Sequence, residues 1–174
     1  KRQPSLVQGA GKGVADLAGA NARSRLRMTA LYYFAGLNNL LVAGTGNKIE
    51  DFGVGFFTKY GDGGVDISPI ADLTKTEVYE LGRWLRVPEA ILVAPPTDGL
   101  FGDDRTDEQQ IGATYPELER AMAHAERGTD PALLSGRERE VYDIFLRRNR
   151  ANRHKMEPIP VCRIPRYLVE PAGR

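Results

Sequence analysis

The most constraining feature of this sequence is a short apolar run that stops at a pair of glycines. Residues 40–43 have the sequence Leu-Leu-Val-Ala, and Gly44-Thr45-Gly46 follows them directly. A continuous apolar run of this length is typical of a parallel strand that is covered on both faces. Ligands of open α/β sheets bind beyond the carboxyl ends of the strands, where glycines let them approach the backbone. The pattern predicts an α/β fold with a parallel sheet and a ligand site near Thr45.

A glycine-rich loop and a helix start follow this run. Residues 58–66, with the sequence TKYGDGGVD, contain three glycines and two carboxylates. Such a loop can wrap a polar ligand, although for GDGG standing alone a tight surface turn is the favoured interpretation. Residues 74–77 form a capping box that opens a helix with Lys75 in its first turn. Because the helix dipole disfavours a cation there, Lys75 indicates a nearby anion.

Several motifs in this region together resemble those of NAD synthetases, which are amide-forming ligases of the N-type ATP pyrophosphatase group. The motifs are GTGNKIE at 44–50, GFFTKYGDGGVDISPI at 55–70 and LTKTE at 73–77. Pro95-Pro96-Thr97, His154-Lys155 and the segment 21–28 fit the same order and spacing. The resemblance spans about residues 20–160, and it implies a layered, Rossmann-like domain of the adenine nucleotide alpha hydrolase type with a parallel sheet.

The resemblance also implies a reaction and a set of contacts. The reaction is the ATP-dependent amidation of deamido-NAD to NAD by ammonia or glutamine through an adenylated intermediate, with release of AMP and pyrophosphate. Charge and position carry this chemistry, so no residue is assigned as a catalytic nucleophile. The implied ATP-binding residues are Thr45, Lys75 and Thr97. The implied deamido-NAD-binding residues are Arg25, Lys59, Asp66, His154 and Lys155, with Arg25 contacting the substrate of the other subunit in a homodimer and with Arg23 and Arg27 as supporting residues.

Magnesium is the implied cofactor, and two neighbouring acids compete to bind it. Glu50 has the family's distance from Thr45, so we assign the metal to Glu50. The segment from Glu50 to Lys59 contains one residue more than the commonest family spacing, which leaves Asp51 as the alternative. The choice matters because a shift of one residue turns a helical side chain by about 100°.

One motif that the resemblance calls for is not found in this sequence. NAD synthetases carry a Ser-Gly-Gly-x-Asp-Ser loop that grips ATP and supplies a second magnesium carboxylate, and these 174 residues contain no such loop. We therefore expect the chain to be one domain that corresponds to the C-terminal portion of the enzyme. We also expect its sheet to lack the first strands and its own activity to be low.

Periodicity and capping signals predict the remaining elements. Residues 22–38 form a helix whose apolar face is Leu26, Ala30, Tyr33, Phe34 and Leu37. Further helices are predicted over 47–58 with Phe56 and Phe57 inward, over 75–86, from Thr114 to about Gly128, and from Ser135 onward with Val141, Ile144 and Phe145 inward. Residues 1–20 are predicted to be a flexible lead-in segment, and residues 98–112 a mobile acidic loop that acts as a lid.

Composition excludes few functions. The chain is 41% hydrophobic and 27% charged with a net charge of +1, which gives no general reason to expect nucleic acid or a membrane as a partner. Cys162 is the only cysteine, which excludes an intramolecular disulfide and fits the cytoplasm; we expect it to be buried or half-buried. Two alternatives stay open: a non-catalytic dinucleotide-binding or dimerisation module, and an RNA-binding domain that uses the basic C-terminal helix.

Overall fold

The structure is a computed structural model, and it describes residues 12–165 and 168. Within these residues the regular structure is helical. In chain order the elements are α1 (Lys12–Asn38), a π-helix (Ile49–Val54), α2 (Lys75–Trp84), α3 (Glu89–Leu92), α4 (Asp107–Ile111), α5 (Tyr115–Glu126), a short 3-10 helix (Pro131–Leu133) and α6 (Gly136–Met156).

The hydrophobic core lies where α5, α6 and the π-helix meet. Leu118 of α5 and Ile49 and Val54 of the π-helix are fully buried there. On α6 the inward residues are Val141, Ile144 and Phe145, as the sequence predicts, because their spacing places them on one face of the helix. The partly buried Phe56 packs against this core from the segment that follows the π-helix.

Capping boxes fix the starts of α2, α4 and α5. The boxes at Thr74 and Thr114 confirm two predicted helix starts, and a third at Thr106 begins α4, which was not predicted although Thr106 and Gln109 have the spacing of a capping box. The helix predicted from Ser135 onward does begin there, with Ser135 at its N-cap, but the spacing of Ser135 and Glu138, which also predicts a capping box, is misleading because the Ser135 side chain makes no capping bond. The Glu138 carboxylate lies instead 2.9 Å from Nε2 of His124.

The predicted parallel sheet is not confirmed. In the described part of the chain, β-structure is limited to one isolated parallel bridge between Ala43 and Ile67. Val42 is buried, but Leu40 and Leu41 are 65% and 67% exposed, so the expectation of a strand covered on both faces is wrong for this structure. A buried strand needs paired neighbours and a packed layer on each side, and among the described residues the β-pairing of residues 40–43 is limited to the bridge between Ala43 and Ile67.

Several element boundaries also differ from the prediction. The helix α1 begins at Lys12, so residues 12–20 are helical rather than flexible, while residues 1–11 lie outside the described residues. The segment 98–112 is not a loop throughout, because it contains α4. The helix predicted over 47–58 is limited to the π-helix and the residue before it.

Two surface features contradict the prediction as well. The apolar face of α1 is exposed rather than buried, since Leu26, Phe34 and Leu37 each keep more than half of their surface in contact with solvent. Cys162 is exposed too. Among the described helices, none combines the length and the apolar composition that crossing a bilayer requires.

Candidate functional site

The main candidate binding site is a cavity of about 520 Å³ beside the C-terminal end of α6. Four of the five predicted deamido-NAD-binding residues line it, namely Arg25, Lys59, His154 and Lys155. They come from α1, from the glycine-rich loop and from α6, so a single chain gathers side chains that are far apart in sequence. The volume is within the range of small-molecule sites, and the basic lining suits an anionic ligand.

Lys155 has a structural role as well as a place in this cavity. Its Nζ donates hydrogen bonds to the backbone oxygens of Gly55 at 2.9 Å and Phe57 at 2.7 Å, and it lies 5.4 Å from the centroid of the Phe57 ring. Burial lowers the pKa of Lys155. The Lys59 ammonium similarly donates to the backbone oxygen of His154. Both lysines therefore tie the end of α6 to the glycine-rich region.

Two asparagines extend this attachment along α6. Asn149 donates to the backbone oxygen of Gly53 at 2.8 Å, and Asn152 donates to that of Val54 at 2.9 Å. Together with Lys155 they recur every third residue on one face of α6, where they satisfy carbonyls at the end of the π-helix that have no partner inside it. Gly55 has φ +62°, and a Cβ there would collide with Asn152. The close approach of the two helices therefore requires this glycine.

The glycine-rich loop is organised by Asp62, which sequence reasoning did not single out. Its Oδ1 accepts hydrogen bonds from Oγ of Ser24 at 2.7 Å and from the backbone N–H of Thr58 at 3.0 Å. Ser24 is itself buried on α1, and its Oγ accepts the backbone N–H of Asp62 at 3.0 Å. A Cβ on Gly61 would overlap Ser24. The GDGG motif signalled a special backbone, but its partner on α1 lies 38 residues away and leaves no local sequence signal.

Three arginines of α1 face this loop and the acidic segment. Arg25 donates to the backbone oxygen of Lys59 at 3.3 Å. Arg23 donates through Nε to the oxygen of Leu100 at 2.8 Å, and Arg27 donates to the oxygens of Asp98 and Gly99 at 3.3 and 3.2 Å. The supporting arginines thus hold the start of the acidic segment against α1 at the edge of the cavity.

Thr45 lines a second cavity of about 280 Å³, which adjoins the first. Three residues line both cavities. They are Asp62 of the glycine-rich loop and, from the acidic segment, Asp98 and Leu100, whose backbone oxygens accept hydrogen bonds from arginines of α1. Thr45, a predicted ATP contact, and the predicted deamido-NAD contacts of the first cavity therefore open onto neighbouring spaces.

A cluster around Glu50 brings together two other predicted site residues. Oε1 of Glu50 is 3.0 Å from Nζ of Lys75 and accepts a 2.5 Å hydrogen bond from the hydroxyl of Tyr115. Oε2 accepts the backbone N–H of Asn47 at 3.3 Å. The buried Asn47 in turn accepts the N–H groups of Ile49 and Glu50 and so fixes the start of the π-helix. Glu50 is therefore held on both of its oxygens.

The anion that Lys75 was predicted to need is present within the chain. Lys75 lies in the first turn of α2, and its anionic partner in this structure is Glu50. The other orphan donors of this turn are also occupied, because the backbone N–H of Thr76 donates to Glu119 at 2.9 Å and that of Glu77 donates to Thr74 at 3.3 Å. The Lys75 side chain is the cation at this helix start and a group that could meet a phosphate.

Two further carboxyls in this region have unusual acidity. Burial first, and then the charges of Glu50 and Asp98, raise the pKa of Asp107 to about 6. The pKa of Asp51 is raised to about 6 as well, by burial first and then by the negative charges of Glu50 and Asp62. Burial and the carboxylate of Glu50 also raise the pKa of Tyr115, so its hydroxyl stays protonated and acts as a donor. Sequence reasoning did not single out Asp107 or Tyr115: Tyr115 lies within the capping box at Thr114, but that motif does not indicate a bond from its hydroxyl to Glu50.

Four predicted site residues line neither cavity: Glu50 and Lys75, which form the cluster described above, and Asp66 and Thr97. Asp66 uses Oδ2 to accept the backbone N–H of Val42 at 2.8 Å and Oδ1 to accept the hydroxyl of Tyr32 at 3.0 Å. Its carboxylate therefore joins α1 to the segment after Leu41. Thr97 is exposed and does not line either cavity. Ligand binding by these two residues stays a prediction.

The chemistry of Glu50 fits a magnesium ligand, although the described residues contain no group of three or more side chains able to hold a metal ion. Magnesium is usually bound through one or two carboxylates and completes its shell with water and phosphate oxygens. Glu50 is half-buried next to a lysine suited to phosphate, which matches that requirement. Asp51 lines a smaller cavity of about 150 Å³ on the side of Gly46 and stays the alternative ligand.

Comparison with known structures assigns the fold to a class of synthetases. A solved NMN synthetase from Francisella tularensis matches with a TM-score of 0.74 and 32% identity, covering 91% of this chain and 60% of that one. A profile of the NAD synthase family matches residues 4–159. The chain belongs to the NAD synthase family.

Curated relatives carry the same family name. An NH(3)-dependent NAD(+) synthetase from Carboxydothermus hydrogenoformans is 46% identical over 139 residues, which cover 80% of this chain and 52% of the relative. One from Archaeoglobus fulgidus is 43% identical over 155 residues, which cover 89% of this chain and 59% of the relative. The chain therefore spans a little over half the length of the curated relatives that it matches.

Proposed function

We propose that this chain supplies substrate contacts of an NAD synthetase that converts deamido-NAD to NAD with ATP and ammonia. The observation that carries the proposal is the basic cavity of about 520 Å³, lined by Arg25, Lys59, His154 and Lys155. Membership of the NAD synthase family supports the reaction. The names of the relatives favour ammonia over glutamine as the nitrogen donor.

In this reaction the residues bind and orient rather than form covalent bonds with the substrate. The nicotinate carboxylate attacks the α-phosphorus of ATP and releases pyrophosphate, and ammonia then attacks the adenylated carbonyl carbon, loses a proton and displaces AMP. Rate enhancement comes from holding the two nucleotides in line and from neutralising charge. The four residues of the basic cavity would bind the phosphates and ribose of deamido-NAD, and Asp66 is proposed as an additional contact.

Thr45, Lys75 and Thr97 are proposed to hold ATP. Lys75 is paired with Glu50 in this structure, so binding would exchange a carboxylate for a phosphate oxygen. Glu50 would then be available as a magnesium ligand, and the bound ion would neutralise charge on the departing pyrophosphate. We also propose a cytoplasmic location and a homodimer.

The first test replaces Arg25, the cavity residue on α1. In the native protein that contains this chain, ammonia-dependent conversion of deamido-NAD is measured at varied deamido-NAD and at varied ATP. Arg25→Ala should raise KM for deamido-NAD about tenfold, the effect of losing one charge-assisted hydrogen bond, while KM for ATP stays within about twofold.

Arg83→Ala is the matched control, because Arg83 is an exposed arginine at the end of α2 and does not line the basic cavity. This variant should leave both KM values unchanged. If the wild-type protein binds deamido-NAD but produces no NAD with saturating ATP and ammonia, the enzymatic proposal fails, and a non-catalytic dinucleotide-binding module becomes the better interpretation.

A mononucleotide substrate is a second candidate, favoured by the similarity to the NMN synthetase of known structure. The same assay with nicotinate mononucleotide distinguishes the two. The relatives named NH(3)-dependent NAD(+) synthetases favour the dinucleotide, so we expect a higher kcat/KM for deamido-NAD.

A further inference from the structure

Tyr115 contacts both members of the ion pair at the proposed ATP end of the site. It is the first residue of α5 and only 3% exposed. Its hydroxyl donates to Oε1 of Glu50 at 2.5 Å, the same oxygen that lies 3.0 Å from Nζ of Lys75. Nζ of Lys75 also lies 4.7 Å from the centroid of the Tyr115 ring, within the range of a cation–π interaction. The Tyr115 side chain therefore contacts the Lys75 ammonium with the face of its ring and the Glu50 carboxylate with its hydroxyl.

Asp107 offers the same hydroxyl a second acceptor. Its Oδ2 is 3.4 Å from the hydroxyl of Tyr115, and its other oxygen, Oδ1, is buried without a hydrogen-bond partner among the described residues. Asp107 as a whole is 8% exposed. Buried carboxyls usually have partners, so this oxygen marks a place where the hydrogen bonds are incomplete in this structure.

A purely structural tyrosine in this core has different contacts. Tyr142 is also buried and belongs to the same hydrophobic cluster, but its hydroxyl is 3.5 Å from a backbone oxygen, that of Thr129. The hydroxyl of Tyr115 instead makes a short bond to a charged side chain that is a proposed ligand-binding group. Charge-assisted bonds of this kind are shorter and stronger than neutral ones and restrict the orientation of the carboxylate.

We propose that Tyr115 is a positioning residue for ATP binding: its hydroxyl fixes the orientation of Glu50 beside Lys75 and turns to Asp107 when Glu50 and Lys75 engage the nucleotide. This proposal rests on the proposed function, since it requires ATP to bind at Lys75 and Glu50. The Tyr115 hydroxyl has an acceptor both without nucleotide, when it is Glu50, and with nucleotide bound, when it is Asp107. Releasing Glu50 therefore leaves no buried donor without a partner.

The test measures nucleotide binding rather than turnover. Binding of ATP with Mn²⁺ is followed by electron paramagnetic resonance in the native protein that contains this chain, and binding of deamido-NAD by calorimetry. Tyr115→Phe keeps the ring and removes only the hydroxyl. We expect about tenfold weaker Mn²⁺–ATP binding and deamido-NAD binding within about twofold of wild type.

Tyr142→Phe removes a hydroxyl from the same core away from Glu50, and it should leave both affinities unchanged. A second test combines Tyr115→Phe with Glu50→Gln. If the hydroxyl acts through Glu50, the double variant should bind Mn²⁺–ATP no more weakly than Glu50→Gln alone, because the two effects are then not additive.

The outcomes separate this proposal from the proposed function. If wild type binds Mn²⁺–ATP and Tyr115→Phe binds it as tightly as Tyr142→Phe does, the positioning role is overturned and the function stands. Additive losses in the double variant would also overturn it, since the hydroxyl would then act independently of Glu50. If wild type itself does not bind Mn²⁺–ATP, both proposals fail.

Discussion

The buried carboxyl of Asp107 imposes an electrostatic cost on the folded protein. It lies near Glu50 and Asp98, and burial together with these charges raises its pKa from 3.8 to about 6. The nearest cation of the cluster, Lys75, is paired with Glu50. Above pH 6 the folded state therefore holds an ionised carboxyl that would be better solvated in the unfolded chain.

The pH dependence of stability follows from this shift. Between about pH 4 and pH 6 the folded state binds more protons at Asp107 than the unfolded state does, so the free energy of unfolding falls as the pH rises through this window. Asp107→Asn removes the titration. We expect the variant to gain about 1 to 3 kcal/mol over wild type between pH 4 and pH 7, in proportion to the shift. Urea unfolding at pH 4, 5, 6 and 7 measures this difference.

Asp72→Asn provides the control, because Asp72 is an exposed aspartate in a turn. Its stability difference from wild type should stay within about 0.5 kcal/mol across the same range, as is usual for surface substitutions. A difference between Asp107→Asn and wild type that does not change with pH would show that Asp107 titrates normally.

The attachment of α6 to the π-helix positions the basic cavity. Asn149, Asn152 and Lys155 bind three consecutive backbone oxygens from Gly53 to Gly55, and this contact fixes the end of α6 that carries His154. The π-helix needs such partners because the carbonyls at a helix end have none within the helix. The same bonds therefore stabilise the fold and place the proposed substrate contacts.

Removing one of these bonds should lower stability measurably. Asn152→Ala leaves the oxygen of Val54 without its donor in a part-buried position, so we expect the free energy of unfolding to fall by about 1 to 2 kcal/mol. Arg150→Ala, at an exposed position on α6, should change it by less than about 0.5 kcal/mol. Urea denaturation of both variants tests the prediction, and equal stabilities would show that the α6 attachment contributes nothing.

The elements that the sequence predicted correctly are those with local signals. The starts of α2 and α5 follow from capping boxes within four residues, and the inward face of α6 follows from its own periodicity. The strand over residues 40–43 depended on distant neighbours, and its apolar pattern alone could not show whether the chain supplies them. Local pattern reading succeeds where the partner is a few residues away, and it fails where pairing is long-range.

The same distinction holds for the candidate site. Arg25, Lys59, His154 and Lys155 were proposed from family motifs, and the structure brings them to one cavity. Ser24, Asp62, Asp107 and Tyr115 were missed, because each acts through a partner that is distant in sequence or through burial that no motif records. The residues proposed to contact a ligand were found through motifs, whereas the residues that hold them in place became visible only in the fold.

The apolar face of α1 is exposed at the surface of the molecule. Leu26, Phe34 and Leu37 lie on this face and are exposed, and the neighbouring Leu40 and Leu41 are exposed as well. Monomeric soluble proteins seldom expose a contiguous apolar patch of this kind unless it is an interaction site. The face runs along the helix that carries Arg25, so a second copy bound there would lie close to the basic cavity. This arrangement supports the proposed homodimer.

Phe34, which is 60% exposed, is the residue to change on this face. Phe34→Glu places a charge in the proposed interface without disturbing a buried contact. We therefore expect the dissociation constant of the dimer to rise about tenfold while the monomer keeps its fold. Light scattering after gel filtration over a range of concentrations measures the association of the chain. Leu133→Glu, at an exposed leucine of the 3-10 helix, is the control and should leave association unchanged. If both variants associate like wild type, the α1 face is not the dimer interface; if both dissociate equally, added negative charge rather than the α1 face explains the effect.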